Sequence, residues 1–442
     1  MIKRRNFIKA SALASAGVSL GMSAKSYARI IGANEKTNVA IIGCYRRFGA
    51  LANPLSAMKD VNIKYVSDVD SRRQDKGMAS VLEKAGYATK GEKDIRKILD
   101  DKEVDAMFLA IPDHWHAPGT WMSLDAGKNV YVEKPASHNP NESELLIKLQ
   151  KLYGKVVQMG NQQRSAPETI EIIKEIHDGV IGKAYNAVAF YSNRRGRVPN
   201  ATIVSPPDYL DWDLFQGPAP RQKFIDIVGD YNWHWYWQWG TAETGNNATH
   251  ELDIARWALQ VKYPKRAQVD AAKEHFVDDP WTMYDTMYAT FEFEDGKTIN
   301  WDGKSRNGYN TYGTGRGTII YGSEGTVYVD RERYKLYDRD GKLVREKEGG
   351  KEGGVALGGG GDMTAAHVHN FLQAIRGKEK QNSNIEDGAI STNLCHYANI
   401  SYKMGNASID IDPMTGRFTD DNVMQKHWAR EYEKGWEPPK VL

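Results

Sequence analysis

The sequence predicts an α/β protein: a parallel sheet wound with helices in the first half, then an α+β half built on a one-sided sheet. Three observations carry this. Between residues 38 and 159, short apolar runs of β type alternate with stretches of helical periodicity. The strand-like runs end at turn or polar positions, namely Gly43, Asp68, Pro112 and Glu133-Lys134-Pro135. From residue 184 onward the runs lengthen and alternate apolar with polar, the pattern of strands with one wet face.

Residues 1–28 read as an export address of the twin-arginine (Tat) type, which places the protein in the periplasm. The motif is Arg4-Arg5, the apolar pair Phe7-Ile8 and the closing Lys9. The mild apolar run to about Met22 is too short for a stable membrane span, and Ser26-Tyr27-Ala28 fits a cleavage site. No other stretch is long and apolar enough to span. Tat substrates fold before export, usually to load a cofactor, so the address implies a bound cofactor. The segment holds five basic residues and no acid, and its removal takes the net charge from +2 to −3. That balance argues against a nucleic-acid partner, which needs clustered positive charge. Two cysteines, Cys44 and Cys395, exclude a disulfide scaffold and a Cys-based zinc site.

The first strand is 38–42, ending at Gly43, with helical periodicity through Phe48, Leu51 and Leu55. The second is 62–67, ending at Asp68 before a helix over about 72–85. The third, 104–110, closes at Pro112 and leads to a helix around 119–126. The fourth, 129–132, ends in Glu133-Lys134-Pro135, and 156–159 is the last of this half. This spacing forms a parallel sheet of Rossmann type with right-handed crossovers, whose ligands lie at the carboxyl ends of the strands. The phosphate loop is irregular. Gly43 stands at the first glycine place, but Tyr45 and Phe48 hold the other two, and Gly49 comes one residue late. Helix N–H groups with Arg46 and Arg47 are candidates to meet phosphate. Asp68 is placed to hold ribose hydroxyls, or else to cap a helix. The ribose role favours NAD over NADP, a preference softened by Arg72 and Arg73.

Past a helix over 167–177, strands are predicted at 184–191, 284–293, 297–301, 318–321 and 326–329, with helices at 367–376 and 391–404. The glycine-rich stretch 349–361 reads as a loop. Residues 231–240 place Trp233, Trp235, Trp237 and Trp239 at alternate positions, so an extended strand would project all four to one face. Stacked rings suit the C–H faces of a sugar; a packing seam is the competing reading.

Several motifs together resemble the glucose–fructose oxidoreductase / inositol dehydrogenase / MocA (Gfo/Idh/MocA) family. They are Glu133-Lys134-Pro135 after Pro112-Asp113-His114-Trp115-His116-Ala117, then Gly160-Asn161-Gln162-Gln163-Arg164-Ser165, residues 212–220, and Gly245 through Trp257. Tyr321-Gly322-Ser323-Glu324-Gly325-Thr326 resembles the family's usual strand turn. The resemblance spans about 36–410 and is closest to a Tat-exported, sugar-active branch that includes NAD-dependent α-N-acetylgalactosaminidases and glycoside 3-dehydrogenases. It implies a Rossmann domain over 36–159, an α+β substrate and oligomerisation domain over 160–410 with a large open, mostly antiparallel sheet, and a tail over 411–442. Two departures stand out: the altered glycine loop, and Asn246 where many members carry Asp.

Oxidising a secondary alcohol needs a base for the hydroxyl proton and a hydride acceptor. Lys134, at a strand end near the expected nicotinamide, and His250, one helical turn from Asn246, share the proton-transfer assignment. Asp253 either orients the His250 ring or belongs to a core network. Cofactor contacts are expected at Gly43, Tyr45, Arg46, Arg47, Asp68, Pro112, His116, Glu133 and Gln162. Substrate contacts are expected at Lys134, Arg164, Trp235, Asn246, Asn247 and His250. No metal is expected, because no Cys or tight acid cluster joins His114, His116, His234 or His250. The resemblance therefore implies a homo-oligomer, dimer or tetramer, with tightly bound NAD acting on a secondary hydroxyl of a sugar, glycoside or polyol. The alternatives are an NAD-dependent glycosidase that oxidises, eliminates, adds water and reduces, and a cofactor-poor sugar-binding homologue.

Overall fold

The computed structural model describes residues 36–349 and 362–440. The Tat-type address and most of the glycine-rich stretch lie outside the described residues. The first half runs β1 (Thr37–Ile42), α1 (Phe48–Ala57), β2 (Val61–Ser67), α2 (Ser71–Ala85), β3 (Lys90–Gly91), α3 (Ile95–Leu99), β4 (Ala106–Leu109), α4 (Asp113–Asp125), β5 (Asn129–Val132), α5 (Pro140–Tyr153) and β6 (Val157–Met159). The six strands pair in parallel in the order β3-β2-β1-β4-β5-β6. The reversal of order between β1 and β4 opens a crevice at the carboxyl ends, where such sheets bind ligands. Local chemistry sets the crossovers. The Asp70 carboxylate caps α2 by accepting from the Arg72 N–H, and Gly86 ends it in the left-handed region. Asn139 caps α5, with Pro140 in its first turn.

The second half contains α6 (Pro167–His177), β7 (Ala184–Ser192), α7 (Trp212–Gln216), α8 (Thr249–Leu259), β8 (Arg266–Ala272), β9 (Thr286–Glu292), β10 (Thr298–Lys304), β11 (Arg316–Gly322), β12 (Gly325–Val329), β13 (Arg333–Asp338) and β14 (Leu343–Glu348). It closes with α9 (Asp362–Ile375), α10 (Ile385–Lys403), β15 (Ile409–Asp410) and α11 (Asp421–His427). Nine strands form one sheet, β14-β13-β12-β11-β7-β10-β9-β8-β15, antiparallel except where β7 meets β10. Alternate residues such as Ala187, Ala189, Ile299 and Trp301 bury against Ile254, Ala255 and Leu259 of α8. The halves are not independent. Helix α9 returns to the first sheet, where Val368 and Phe371 bury with Phe108 and Tyr131.

Two local expectations give way. Helix α4 begins at Asp113, so His114, Trp115 and His116 sit in its first turns rather than in a preceding loop. The four tryptophans share no face. Residues Asn232–Trp235 form a 3-10 turn, which breaks the two-residue alternation. Trp235 is 2% exposed and stacks on Trp281 at 3.9 Å, so it is core and not a substrate contact. Trp239 packs against Trp212 at 5.5 Å, and Trp237 lies under Lys403. Beyond α11 the chain crosses back to the first half, where Arg430 pairs with Glu142 at 2.9 Å and Trp436 meets Trp115 edge-on at 5.1 Å.

Candidate active site

A cleft of about 1070 Å³ runs from the carboxyl ends of β1, β2, β4 and β5 to the second half. Thirteen of the fifteen expected residues line it: Gly43, Tyr45, Arg46, Arg47, Asp68, Pro112, His116, Glu133, Lys134, Gln162, Asn246, Asn247 and His250. Arg164 and Trp235 do not.

Its first end is the loop after β1. Gly43 has φ +95°, and a Cβ there would stand 2.1 Å from the Ala110 carbonyl oxygen of the neighbouring strand end. Only glycine fits this turn. Gly49 is not a displaced fingerprint glycine, since a Cβ there would meet nothing within 4 Å. Phe48 starts α1 and is buried. The Tyr45 hydroxyl donates to Asp230 of the second half, and the Arg73 guanidinium lies 4.0 Å from the Tyr45 ring centre. Arg46 lies over Tyr231 at 4.5 Å and within 3.9 Å of Asp230. This aromatic and cationic group clasps the cleft mouth from both halves. Arg47 departs from expectation: its Nε donates to Glu133 at 2.7 Å, so its charge is committed inside the protein, leaving Arg46 for a phosphate. Gln162 donates to the same Glu133 oxygen at 3.0 Å and to the Tyr131 hydroxyl at 2.8 Å.

Asp68 lies at the end of β2 and accepts from the Cys44 N–H at 2.7 Å and the Asp70 N–H at 2.9 Å. The helix-capping role belongs to Asp70. Burial raises the Asp68 carboxyl above its ordinary range, while the two N–H donors and Arg73 hold it down. If it holds a ribose, Asp68→Ala should weaken NAD binding and reduce discrimination against NADP. Calorimetric titration of nucleotide-stripped protein checks this; unchanged affinity for both nucleotides removes Asp68 from the cofactor site.

At the other end, Lys134 and His250 come from different halves. The Lys134 Nζ donates to the Asn246 backbone carbonyl at 2.6 Å, with the Asn246 Oδ1 at 3.4 Å. Burial pushes the Lys134 ammonium down, and Asp113 and Glu133 partly offset this. Burial, reinforced by Arg331 and Lys134, holds His250 well below its ordinary value, so its imidazole is neutral at pH 7. Asp253 does not orient that ring. It takes both hydrogen bonds of the Arg164 fork, at 2.6 and 2.8 Å, and one from Ser391 at 2.6 Å. Arg164 is thereby a buried structural partner rather than a substrate contact. Asn246 sits in a π-helical turn, Thr244–Ala248, at the entry to α8. Such turns recur at functional sites because they re-aim side chains. Its amide donates to the Tyr231 hydroxyl at 2.9 Å and to Glu243 at 3.2 Å, and Asn247 donates to Glu243 as well. Glu243 is neutralised by Arg195 at 2.7 and 3.1 Å.

His116 gives its Nδ1 hydrogen to the Pro135 carbonyl at 2.5 Å, and its buried Nε2 has no partner among the described residues. This orphaned ring nitrogen, the glycine-only turn and Asp68 fit a dinucleotide. His114 instead turns its Nε2 to the Phe215 carbonyl. Several pocket residues escaped the sequence reading. Asp113 accepts from the Thr241 N–H at 3.1 Å and its hydroxyl at 2.5 Å; an acid just after a helix-starting proline was its signal. Tyr231 and Arg195 come from loops and Glu243 from the helical turn that leads into Thr244–Ala248, and none of the three was marked by spacing or motif. Among the described residues no helix is long and apolar enough to cross a membrane.

Two family models match. Residues 37–161 match an oxidoreductase family with an NAD-binding Rossmann fold, and residues 170–328 match the GFO/IDH/MocA C-terminal domain. Among curated proteins, a "Glycosyl hydrolase family 109 protein" of Saccharopolyspora erythraea is 29% identical over 254 residues, 51% of this chain and 55% of the relative. One from Shewanella baltica is 21% identical over 210 residues, 43% and 46% of the two chains. The chain thus spans about half the length of the curated relatives it matches. Among solved structures, a levoglucosan dehydrogenase complex with NADH and levoglucosan aligns with TM-score 0.62 at 18% identity, covering 85% of this chain and 99% of that one. An aldose-aldose oxidoreductase from Caulobacter crescentus, complexed with glycerol, aligns with TM-score 0.63 at 16% identity, covering 85% and 100%. At these identities the likeness shows the fold.

Proposed function

The chain belongs to the Gfo/Idh/MocA oxidoreductase family, and from that premise we propose that it oxidises a secondary hydroxyl of a sugar, glycoside or polyol with tightly bound NAD. One observation carries the reading: Lys134 and His250, both disfavoured as cations by burial, converge at the far end of the cleft that begins at Gly43 and Asp68. Gly43, Arg46, Asp68 and His116 would hold the dinucleotide, which supplies the hydride acceptor when bound. Lys134 and His250 take the substrate hydroxyl proton between them, and Asn246 fixes the Lys134 Nζ. Asn247, held by Glu243, faces the same space as a substrate donor. Asp113, Arg47 and Glu133 set the local field.

The clasp of Tyr45, Asp230 and Arg73 supports tight retention of the nucleotide. Arg4-Arg5 supports Tat export to the periplasm after loading. A periplasmic enzyme must keep its cofactor. Retention over an hour needs an off-rate below about 10⁻³ s⁻¹, hence a Kd of about 1 nM at a typical association rate of ~10⁶ M⁻¹s⁻¹. The test is dialysis of mature protein, mass spectrometry of any nucleotide released on denaturation, and a single-turnover assay without added NAD. Retained NAD that is reduced by a sugar or glycoside is the expected result. Nucleotide lost within minutes sinks the tight-binding and export reading, and protein that binds neither NAD nor NADP sinks the oxidoreductase reading. Light scattering on the same sample checks the homo-oligomer, which the exposed Tyr185 and Tyr288 on the large sheet support. A second reading, redox-neutral hydrolysis of a glycoside, is favoured by the curated relatives named as glycosyl hydrolases. Release of free aglycone with no added oxidant distinguishes it.

A further inference from the structure

Of four arginines that line the cleft holding Lys134 and His250, three are paired with acids. Arg47 is matched by Glu133 at 2.7 Å, Arg195 by Glu243 at 2.7 Å, and Arg316 by Glu251 at 2.7 Å. Arg331, just after β12, is not. Among the described residues it makes no ion pair or hydrogen bond, and its Nη2 is buried without a partner. Burial and the neighbouring Arg316 push its guanidinium down to about 9, although Glu251 pulls the other way. The Glu251 Oε1 is already engaged by Arg316, and its Oε2 is buried without a hydrogen bond. The rim acids Glu332 and Glu348 are both turned to Arg333, at 3.5 and 3.3 Å.

Arg331 is half-buried, and a guanidinium nitrogen that is buried with no ion pair among the described residues is costly, a cost relieved where a ligand supplies the charge. Arg331 lines the same cleft as Lys134 and His250, and its charge acts on both of them. We propose that the substrate sugar carries one anionic substituent, a carboxylate or a sulfate ester, and that Arg331 binds it. This rests on the sugar-oxidoreductase reading and narrows it to acidic sugars. The planar five-donor fork of arginine matches either group in bidentate fashion.

The experiment is calorimetric titration of nucleotide-loaded protein with D-glucuronate, D-galacturonate and glucose 6-sulfate, each against its neutral parent hexose. The wild type should bind at least one acidic sugar roughly tenfold or more tightly than the parent, the scale of a charge-assisted hydrogen bond. Arg331→Gln should erase that difference while leaving nucleotide content unchanged. It should not lower the urea midpoint, because the variant removes a half-buried charge that makes no ion pair among the described residues. Preference for carboxylate or for sulfate names the group. Equal binding of acidic and neutral sugars, a preference that survives Arg331→Gln, or no binding of any acidic sugar overturns the proposal. Nicotinamide reduction by a neutral sugar in that same protein would leave the oxidoreductase reading standing. Absence of any nucleotide would remove the oxidoreductase reading instead.

Discussion

Lys134→Met slows turnover by roughly 10²-fold or more, the usual loss when a positioned acid–base group is removed, and leaves the fold and nucleotide content intact. The substitution preserves the stem and removes only the Nζ that bonds the Asn246 carbonyl. It also deletes a cation whose burial is unfavourable, so stability is expected to hold. The wild-type rate should rise with pH as the buried amine loses its proton, in a range below the ordinary lysine value of 10.5. Asp113 and Glu133 pull that range up, while Arg331 and Arg47 press it lower. The measurement is a single-turnover pH profile of wild type and variant. Near-native rates in Lys134→Met assign the proton to His250 alone.

Arg164→Met destabilises the protein by about 3–5 kcal/mol, the cost of stranding a buried charge by removing its partner. Asp253, 1% exposed on its side chain, would keep only the Ser391 hydroxyl at 2.6 Å. Urea denaturation should show the midpoint fall. The double variant Arg164→Met with Asp253→Leu should recover most of the loss, because a well-packed apolar pair substitutes for a buried ion pair at little cost. A raised KM with an unmoved midpoint would instead return Arg164 to the substrate site.

The sequence by itself determined what depends on local periodicity and on chain order. Apolar runs ending at Gly43, Asp68 and Lys134, spaced by helical stretches, specify a parallel sheet whose carboxyl ends hold the site, and those three residues do line one cleft. The loss of the second and third loop glycines was visible too, but only the open space at the Gly49 Cβ shows that Gly49 is no displaced member of the set. Tertiary structure decided whatever turns on which charges meet. Arg47 could face a phosphate or a carboxylate, and only the fold brings Glu133 to it across 86 residues. Arg164 sits among motif residues, yet Asp253 claims it once α8 packs beside it. The alternating tryptophans depended on an extended backbone that a 3-10 turn abolished. Arg331 belongs to no pattern at all. Its meaning is the absence of an ion pair among the described residues, which appears only once Glu251 has met Arg316 and Glu332 and Glu348 have met Arg333. Side-chain pairing between distant elements is a property of closure, because Coulomb and desolvation energies are set by distance and burial, and neither is encoded in spacing along the chain.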